Sequence, residues 1–337
     1  MIPYFSLEPL LTSTYNSAHH RFAVLLAGCT LVLLVAGALV TSNDAGLAVP
    51  DWPTSFGSIY KIPPMVGGVR FEHSHRMIAE LIGLLTIVMA VWTWRAESRR
   101  WMRRLALGAL ALVLFQGILG GTTVLHYLPP AVSSAHATFA QTFFCVAVLM
   151  ALFTSRAWVG TERLALRDEG TPGLRTLTVV LTAALYAQLI LGAAFRHVWT
   201  KLGPAGANRI AAGEIVGTYL VPHIVNALLV TALLIWVATR VLARYGNLPT
   251  LRRPATALLF LLAAQLVLGF GAYLARVEWG QDAAQPHPLM VWSTVAHVVT
   301  GAAVLATSVI LTAQVYRNLL SQEQEQLASD TEKAAAV

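Results

Sequence analysis

The chain has 337 residues, of which 56% are hydrophobic and 12% charged, and its mean hydropathy is +0.64. Soluble domains carry about 25% charged residues, so this composition excludes an ordinary soluble fold and reads as an integral membrane protein. The net charge of +7 does not mark a nucleic-acid binder, because the basic residues cluster in short connections between apolar segments, the topology signal of membrane proteins.

Segments of the roughly 20 residues needed to cross a bilayer recur along the whole chain. They predict eight helices, at 22–41, 75–94, 104–124, 135–155, 175–195, 218–240, 254–275 and 291–316. The first lacks a clear cleavage site, is too long for a signal-peptide core, and is read as a retained helix. Arg95, Arg99, Arg100, Arg103 and Arg104 separate the second and third segments. Arg156, Arg163, Arg167 and Arg175 separate the fourth and fifth, and Arg240, Arg244, Arg252 and Arg253 the sixth and seventh. These three connections are expected on the cytoplasmic side, with both termini. The opposite connections hold fewer cations, namely Lys61 and Arg70, then Arg196, Lys201 and Arg209, then Arg276. Residues 1–21 are expected as a cytoplasmic N-terminal segment. Residues 318–337, rich in Gln and Glu, are expected as a disordered cytoplasmic tail. Cys29 and Cys145 lie within apolar runs and read as small buried hydrophobes.

An internal repeat organises the chain. Gln116-Gly-Ile-Leu-Gly120, Gln188-Leu-Ile-Leu-Gly192 and Gln265-Leu-Val-Leu-Gly269 share the pattern Q-x-x-L-G near the outer ends of the third, fifth and seventh segments. The first segment has Gly37 in the comparable place, with Leu33 where Gln would stand. Small residues permit close helix approach, and Gln bonds across an interface. The repeat predicts two four-helix halves, 22–160 and 161–317, as two bundles related by a pseudo-two-fold axis along the membrane normal.

Four of the ten histidines hold matching places in this repeat: His75, His136, His223 and His297. Each is followed four residues later by Ala79, Ala140, Ala227 or Gly301, on the same helix face. An imidazole inside a bilayer helix is costly and marks function. Neutral imidazole ligates haem iron, and a flat cofactor needs a small neighbour. Pairing by half, His75 with His136 and His223 with His297, predicts two haem pockets near the outer side. A copper or zinc site would add Cys, Met or carboxylate ligands at short spacing, and no such cluster is visible. Glu72 stands three residues before His75, on one helix face with it. Leu220 holds that place before His223, so the pockets are unequal, and only one has an acid for proton chemistry. A di-haem electron carrier of the quinol-oxidising kind would have no use for Glu72. A transporter would place its polar groups near the midplane, not at one side.

With Gly46-Leu-Ala-Val-Pro-Asp-Trp-Pro53, Glu72-His-Ser-His-Arg76, His136, His223, His297 and the Q-x-x-L-G repeats, the chain resembles the haem A synthase family over residues 22–316. The resemblance implies oxidation of the C8 methyl of haem O to a formyl group, by two hydroxylations and loss of water from a gem-diol. It implies a substrate haem between His75 and His136 in the N-terminal half, Glu72 as catalytic acid or base, and a haem b cofactor on His223 and His297 in the C-terminal half. Arg76, Arg70 and Asp51 would be propionate or loop contacts. A haem O synthase and a haem-A-containing terminal oxidase would be its partners in the cell membrane. Many bacterial relatives carry a cysteine pair around the loop motif, where this chain has Val49 and Ser55, so that cysteine redox role cannot operate here. A second departure is His73, beside His75, where many relatives have an apolar residue.

Overall fold

A computed structural model describes residues 15–160, 164–168, 170–202, 213–275 and 286–320. Arg163, Arg209, Arg276, most of the expected tail and the start of the N-terminal segment lie outside the described residues.

Among the described residues, eight helices are long and apolar enough to cross a membrane, and there is no β-strand beyond two isolated bridges. They are α1 (Ser17–Ser42), α2 (Val69–Ala96), α3 (Arg100–Leu125), α4 (Pro130–Thr154), α5 (Leu174–Leu202), α6 (Val221–Tyr245), α7 (Pro249–Tyr273) and α8 (Pro288–Asn318). A single turn, Arg156–Val159, follows α4, and a π-helical turn, Val216–Leu220, leads into α6. The helix starts follow local chemistry. The Asn16 side chain accepts the His19 N–H at 3.0 Å and caps α1,. Proline opens α4, α6, α7 and α8, where its missing N–H costs nothing.

Several helices begin earlier than the apolar pattern predicts: α2 at Val69, α4 at Pro130 and α8 at Pro288. Their first turns hold Glu72, His73 and Ser133, which hydropathy discounts but neighbouring segments bury. His75, His136 and His297 therefore lie inside helices rather than at their starts, whereas His223 is the third residue of α6. His75 and His136 are each six residues in, about 9 Å along the axis at 1.5 Å per residue.

Helices α1 to α4 close one ring of neighbours, and α5 to α8 close a second. The rings meet where α4 packs on α5, α1 on α8, and α4 on α8. This pattern is unchanged when α1 is exchanged with α5, α2 with α6, α3 with α7 and α4 with α8. Each ring has its own apolar core. Leu26, Ile82, Met89, Met102 and Met150 fill the first, and Leu181, Leu234, Leu251, Leu258 and Leu311 the second. Large side chains such as Leu84, Phe260 and Val267 point outward, where lipid is as apolar a neighbour as protein. Polar contacts therefore help select the helix pairing. The Thr182 hydroxyl meets Ser308 at 2.8 Å and Thr312 at 3.0 Å, joining α5 to α8. Thr142 meets Tyr186 at 2.9 Å, joining the two rings through α4 and α5.

The arginine-rich end is tied down by two ion pairs. Arg99 contacts Glu97 at 2.5 Å, and Arg240 contacts Asp168 at 2.9 Å, with the side chains of Arg240 and Asp168 largely buried. Asp168 also accepts the Leu174 N–H at the start of α5. Removing one partner of a buried pair leaves an uncompensated charge, costing about 3 kcal/mol or more. Arg240→Met should therefore lower the denaturation midpoint of the purified protein measurably, while Arg253→Met, at an exposed position, should leave it within error.

Candidate functional site

The histidines that the repeat singles out meet in two pairs at the end of the bundle that carries the 43–68 loop. His75 of α2 faces His136 of α4, with ring centres 6.5 Å apart and planes at 89°. His223 of α6 faces His297 of α8 at 6.4 Å and 76°. The two pairs come from different helices of different rings, yet their separations agree within 0.1 Å.

The repeated glycine makes these positions possible. A Cβ on Gly37 would stand 3.1 Å from Cε1 of His75, and one on Gly120 would stand 3.3 Å from Cε1 of His136. Gly192 and Gly269 stand in the same relation to His223 and His297, at 2.8 and 2.9 Å. Each imidazole edge thus lies on the glycine of the preceding odd-numbered helix. Gly301, four positions after His297, faces the Gln265 amide. Main-chain carbonyls of Leu33, Gln116, Gln188 and Gln265, four residues before those glycines, stand beside the same four rings.

The glutamines separate the pockets. Gln188 donates through Nε2 to the His223 carbonyl at 3.0 Å and accepts from Asn226 at 2.7 Å, which fixes its amide orientation. The same Nε2 lies 3.2 Å from Nε2 of His223. An amide NH2 only donates, so that imidazole nitrogen is an acceptor, in the neutral tautomer protonated at Nδ1. Gln265 stands likewise 3.4 Å from Nε2 of His297. In the first pocket Leu33 replaces one Gln, and the buried Gln116 amide has no hydrogen-bond partner among the described residues.

These side chains fit a haem. Nδ1 of each of the four histidines is buried beside the main-chain carbonyl of Leu33, Gln116, Gln188 or Gln265, the setting in which a histidine keeps its proton on Nδ1 and can present Nε2 to a metal. Metal–nitrogen bonds of about 2 Å on either side of one iron, with the ring radii added, bring two imidazole centres about 6 Å apart. Both observed separations meet this.

Glu72 lies beside the first pocket, 3% exposed. It does not cap its own helix. One carboxylate oxygen accepts the Val49 N–H at 2.8 Å, and the other pairs with Arg76 at 2.7 Å. Arg76, expected as a propionate or loop contact, spends its terminal nitrogens on Glu72 and on the carbonyls of Val49, Asp51 and Thr54. It clamps the loop to α2. Asp51 organises the same loop, accepting from Thr54, Phe56 and Gly57. Burial opposes its ionisation, but these donors outweigh burial and hold its pKa at about 2. This anchor is fully charged above about pH 4 and is lost as the pH falls through about 2. Arg70 lies at the surface, its guanidinium 4.6 Å from the Phe71 ring centre. His73 turns away from the pair to meet the Ser55 hydroxyl at 3.1 Å. Val49 and Ser55, the two cysteine positions of many relatives, thus touch Glu72 and His73.

One residue that the sequence pattern passed over is also brought in. His197, on α5 of the second ring, lies within electrostatic reach of His136 in the first. Its i+4 neighbour is Lys201, not a small residue, so the imidazole-and-gap pattern gave no signal. Only packing between the rings does.

Eight spans enclosing two facing imidazole pairs define an integral membrane protein of the paired-histidine helical-bundle class. Comparison with known proteins narrows this. The family described as "Cytochrome oxidase assembly protein" matches residues 69–309. A haem A synthase of Symbiobacterium thermophilum is 31% identical, over 73% of this chain and 83% of that protein. One of Alkalihalophilus pseudofirmus is 25% identical, over 74% and 84% respectively. A third, of Halalkalibacterium halodurans, is 27% identical over 62% and 75%. The chain belongs to the haem A synthase family of cytochrome oxidase assembly proteins.

Two glycine substitutions test the geometry. A Cβ at Gly121 would collide with the Trp52 indole, so Gly121→Ala should loosen the loop and speed its cleavage by an added protease several-fold. A Cβ at Gly192 would crowd His223 at 2.8 Å, whereas Gly28 has open space. Gly192→Ala should therefore alter the haem absorption spectrum of the purified protein, and Gly28→Ala should not.

Proposed function

We propose that this protein is a haem A synthase that oxidises the C8 methyl of haem O to a formyl group, with the substrate haem between His75 and His136 and a haem b cofactor between His223 and His297. The inequality of two otherwise matching imidazole pairs carries this reading. Among the described residues only the first has a buried carboxylate nearby, and at the corresponding place the second has Leu220, 7% exposed. In the second pocket Gln188 and Gln265 stand beside both imidazoles. In the first, the Gln116 amide is unpaired, as suits a ligand that arrives, reacts and leaves.

A bound haem b supplies one-electron redox chemistry beside the reacting pocket. His75 and His136 hold and orient the substrate ring. Glu72 is the proton-handling group, its carboxylate held between the Val49 N–H and Arg76. Removing hydrogen from a methyl group and losing water from the hydrated aldehyde both move protons, and a positioned carboxylate serves both. The loop that Arg76 clamps covers this end of the pocket, with Trp52 packed on Gly121, and limits water there. The pockets face the outer side of the cell membrane and both termini the cytoplasm, because the arginine-rich connections lie at the opposite end. The halves relate by a pseudo-two-fold axis, which the exchangeable packing pattern supports. Haem O synthase before it and a haem-A-containing oxidase after it are the partners this activity implies.

Cells supplying haem O and expressing the protein should accumulate haem A or its hydroxylated intermediate in extracted pigments. Their absence from membranes holding intact protein would remove this assignment. Glu72→Gln should keep haem binding and folding but slow conversion by on the order of a hundredfold, the usual contribution of a general acid or base. Full activity in that variant would exclude Glu72 from the mechanism.

A further inference from the structure

We propose that Arg196 and His197, both on α5 of the second ring, form the carboxylate-binding edge of the first pocket and take a propionate of the haem held between His75 and His136. This rests on the reading of that pair as a haem site.

Two contacts place them there. Arg196 reaches across the rings and donates through Nη2 to the Thr41 carbonyl of α1 at 2.7 Å. Thr41 is one turn beyond Gly37, its hydroxyl 3.3 Å from the Gly37 carbonyl, and Gly37 is the residue on which His75 lies. The guanidinium therefore sits about 6 Å nearer the loop end than the His75 ring, on the α1 side. His197 is partly buried and within electrostatic reach of both Arg196 and His136, on the α4 side. The two side chains straddle the loop-end edge of the pocket. Beside Thr41, Ser42 is 1% exposed and its hydroxyl has no hydrogen-bond partner among the described residues, so an unmet donor lies in the same layer.

The chemistry selects the ligand. A porphyrin of this kind carries its two carboxylates on one edge, and a carboxylate leaving water needs a charged or hydrogen-bonding partner. Guanidinium and imidazole N–H groups provide that, guanidinium in bidentate geometry. Two acids at this end are already engaged. Glu72 is paired with Arg76, and Asp51 with its own loop.

The contribution runs one way. Aligning Gly192 with Gly37 sets Arg196 opposite Thr41 and His197 opposite Ser42. The matching α1 positions that would serve the second pocket are neutral. Arg196 thus bonds to its own counterpart in the repeat, at the seam between the rings.

The test compares haem O with its dimethyl ester, which leaves the ring and the C8 methyl unchanged but removes both negative charges. Purified full-length protein carrying haem b is titrated with each, anaerobically, and binding at the first pocket is read from the absorption change. Wild type should prefer the free acid by tenfold or more. His197→Gln should cut that preference several-fold, and Arg196→Gln should do so further, while the haem b spectrum reports that each variant is folded. If His197→Gln and Arg196→Gln both discriminate as wild type does, the two residues only join helices and the proposal fails. If wild type binds haem b but neither form of haem O, the His75–His136 site itself is wrong.

Discussion

The contact between an imidazole edge and a backbone with no side chain is the constraint on which the rest of this structure depends. A polar ring inside a membrane helix needs a purpose and a space. Here the space is created on the neighbouring helix, by Gly37, Gly120, Gly192 and Gly269, each within about one atomic contact of its histidine. That single approach sets how near the odd-numbered helices come to the even-numbered ones. It also sets the depth of the rings and the separation of about 6.5 Å across each pair. The Q-x-x-L-G repeat is therefore more than a packing motif. Its glycine seats the histidine, and its glutamine reaches the imidazole at Gln188 and Gln265 but not at Gln116.

On this common frame the first pocket is specialised by its loop. Glu72 and Arg76 sit one helical turn apart on α2, but both reach off the helix to the same strip of loop backbone. The carboxylate is consequently positioned by residues 49–54 rather than by α2 alone. This chain has Val49 fully buried against Glu72, and Ser55 bonded to His73, so its loop is held by hydrogen bonds and packing.

The seam between the rings adds a second specialisation. The packing pattern treats the two halves alike, while the side chains do not. Tyr186 bonds to Thr142, and Arg196 to the Thr41 carbonyl, and in each case α5 reaches toward the first ring. One pocket thus draws residues from both halves of the duplication. A duplicated fold diverges most cheaply in this way, since a changed side chain at the seam alters one site and leaves both helical frames intact.

Much of this was legible in the linear chain. Apolar length alone determined eight spans, because a bilayer fixes how long a helix must be. The repeat determined which histidines to pair, because equal spacing in the chain becomes equal depth in a bundle. The same arithmetic misplaced several helix starts, since Glu72, His73 and Ser133 look like loop residues until the segments that bury them are known. It gave no sign of the glycine on which each ring lies, because that glycine is on another helix, about 40 residues or less before it in the chain. Arg76 read as a propionate or loop contact, and the folded loop claims its donors, while the donors nearer that edge, Arg196 and His197, come from the other half. The sequence by itself determined the elements and their pairing, which follow from local periodicity and membrane thickness. Only the tertiary structure decided which side chains share a pocket, because a contact across the seam depends on how two helices distant in the chain come to lie side by side.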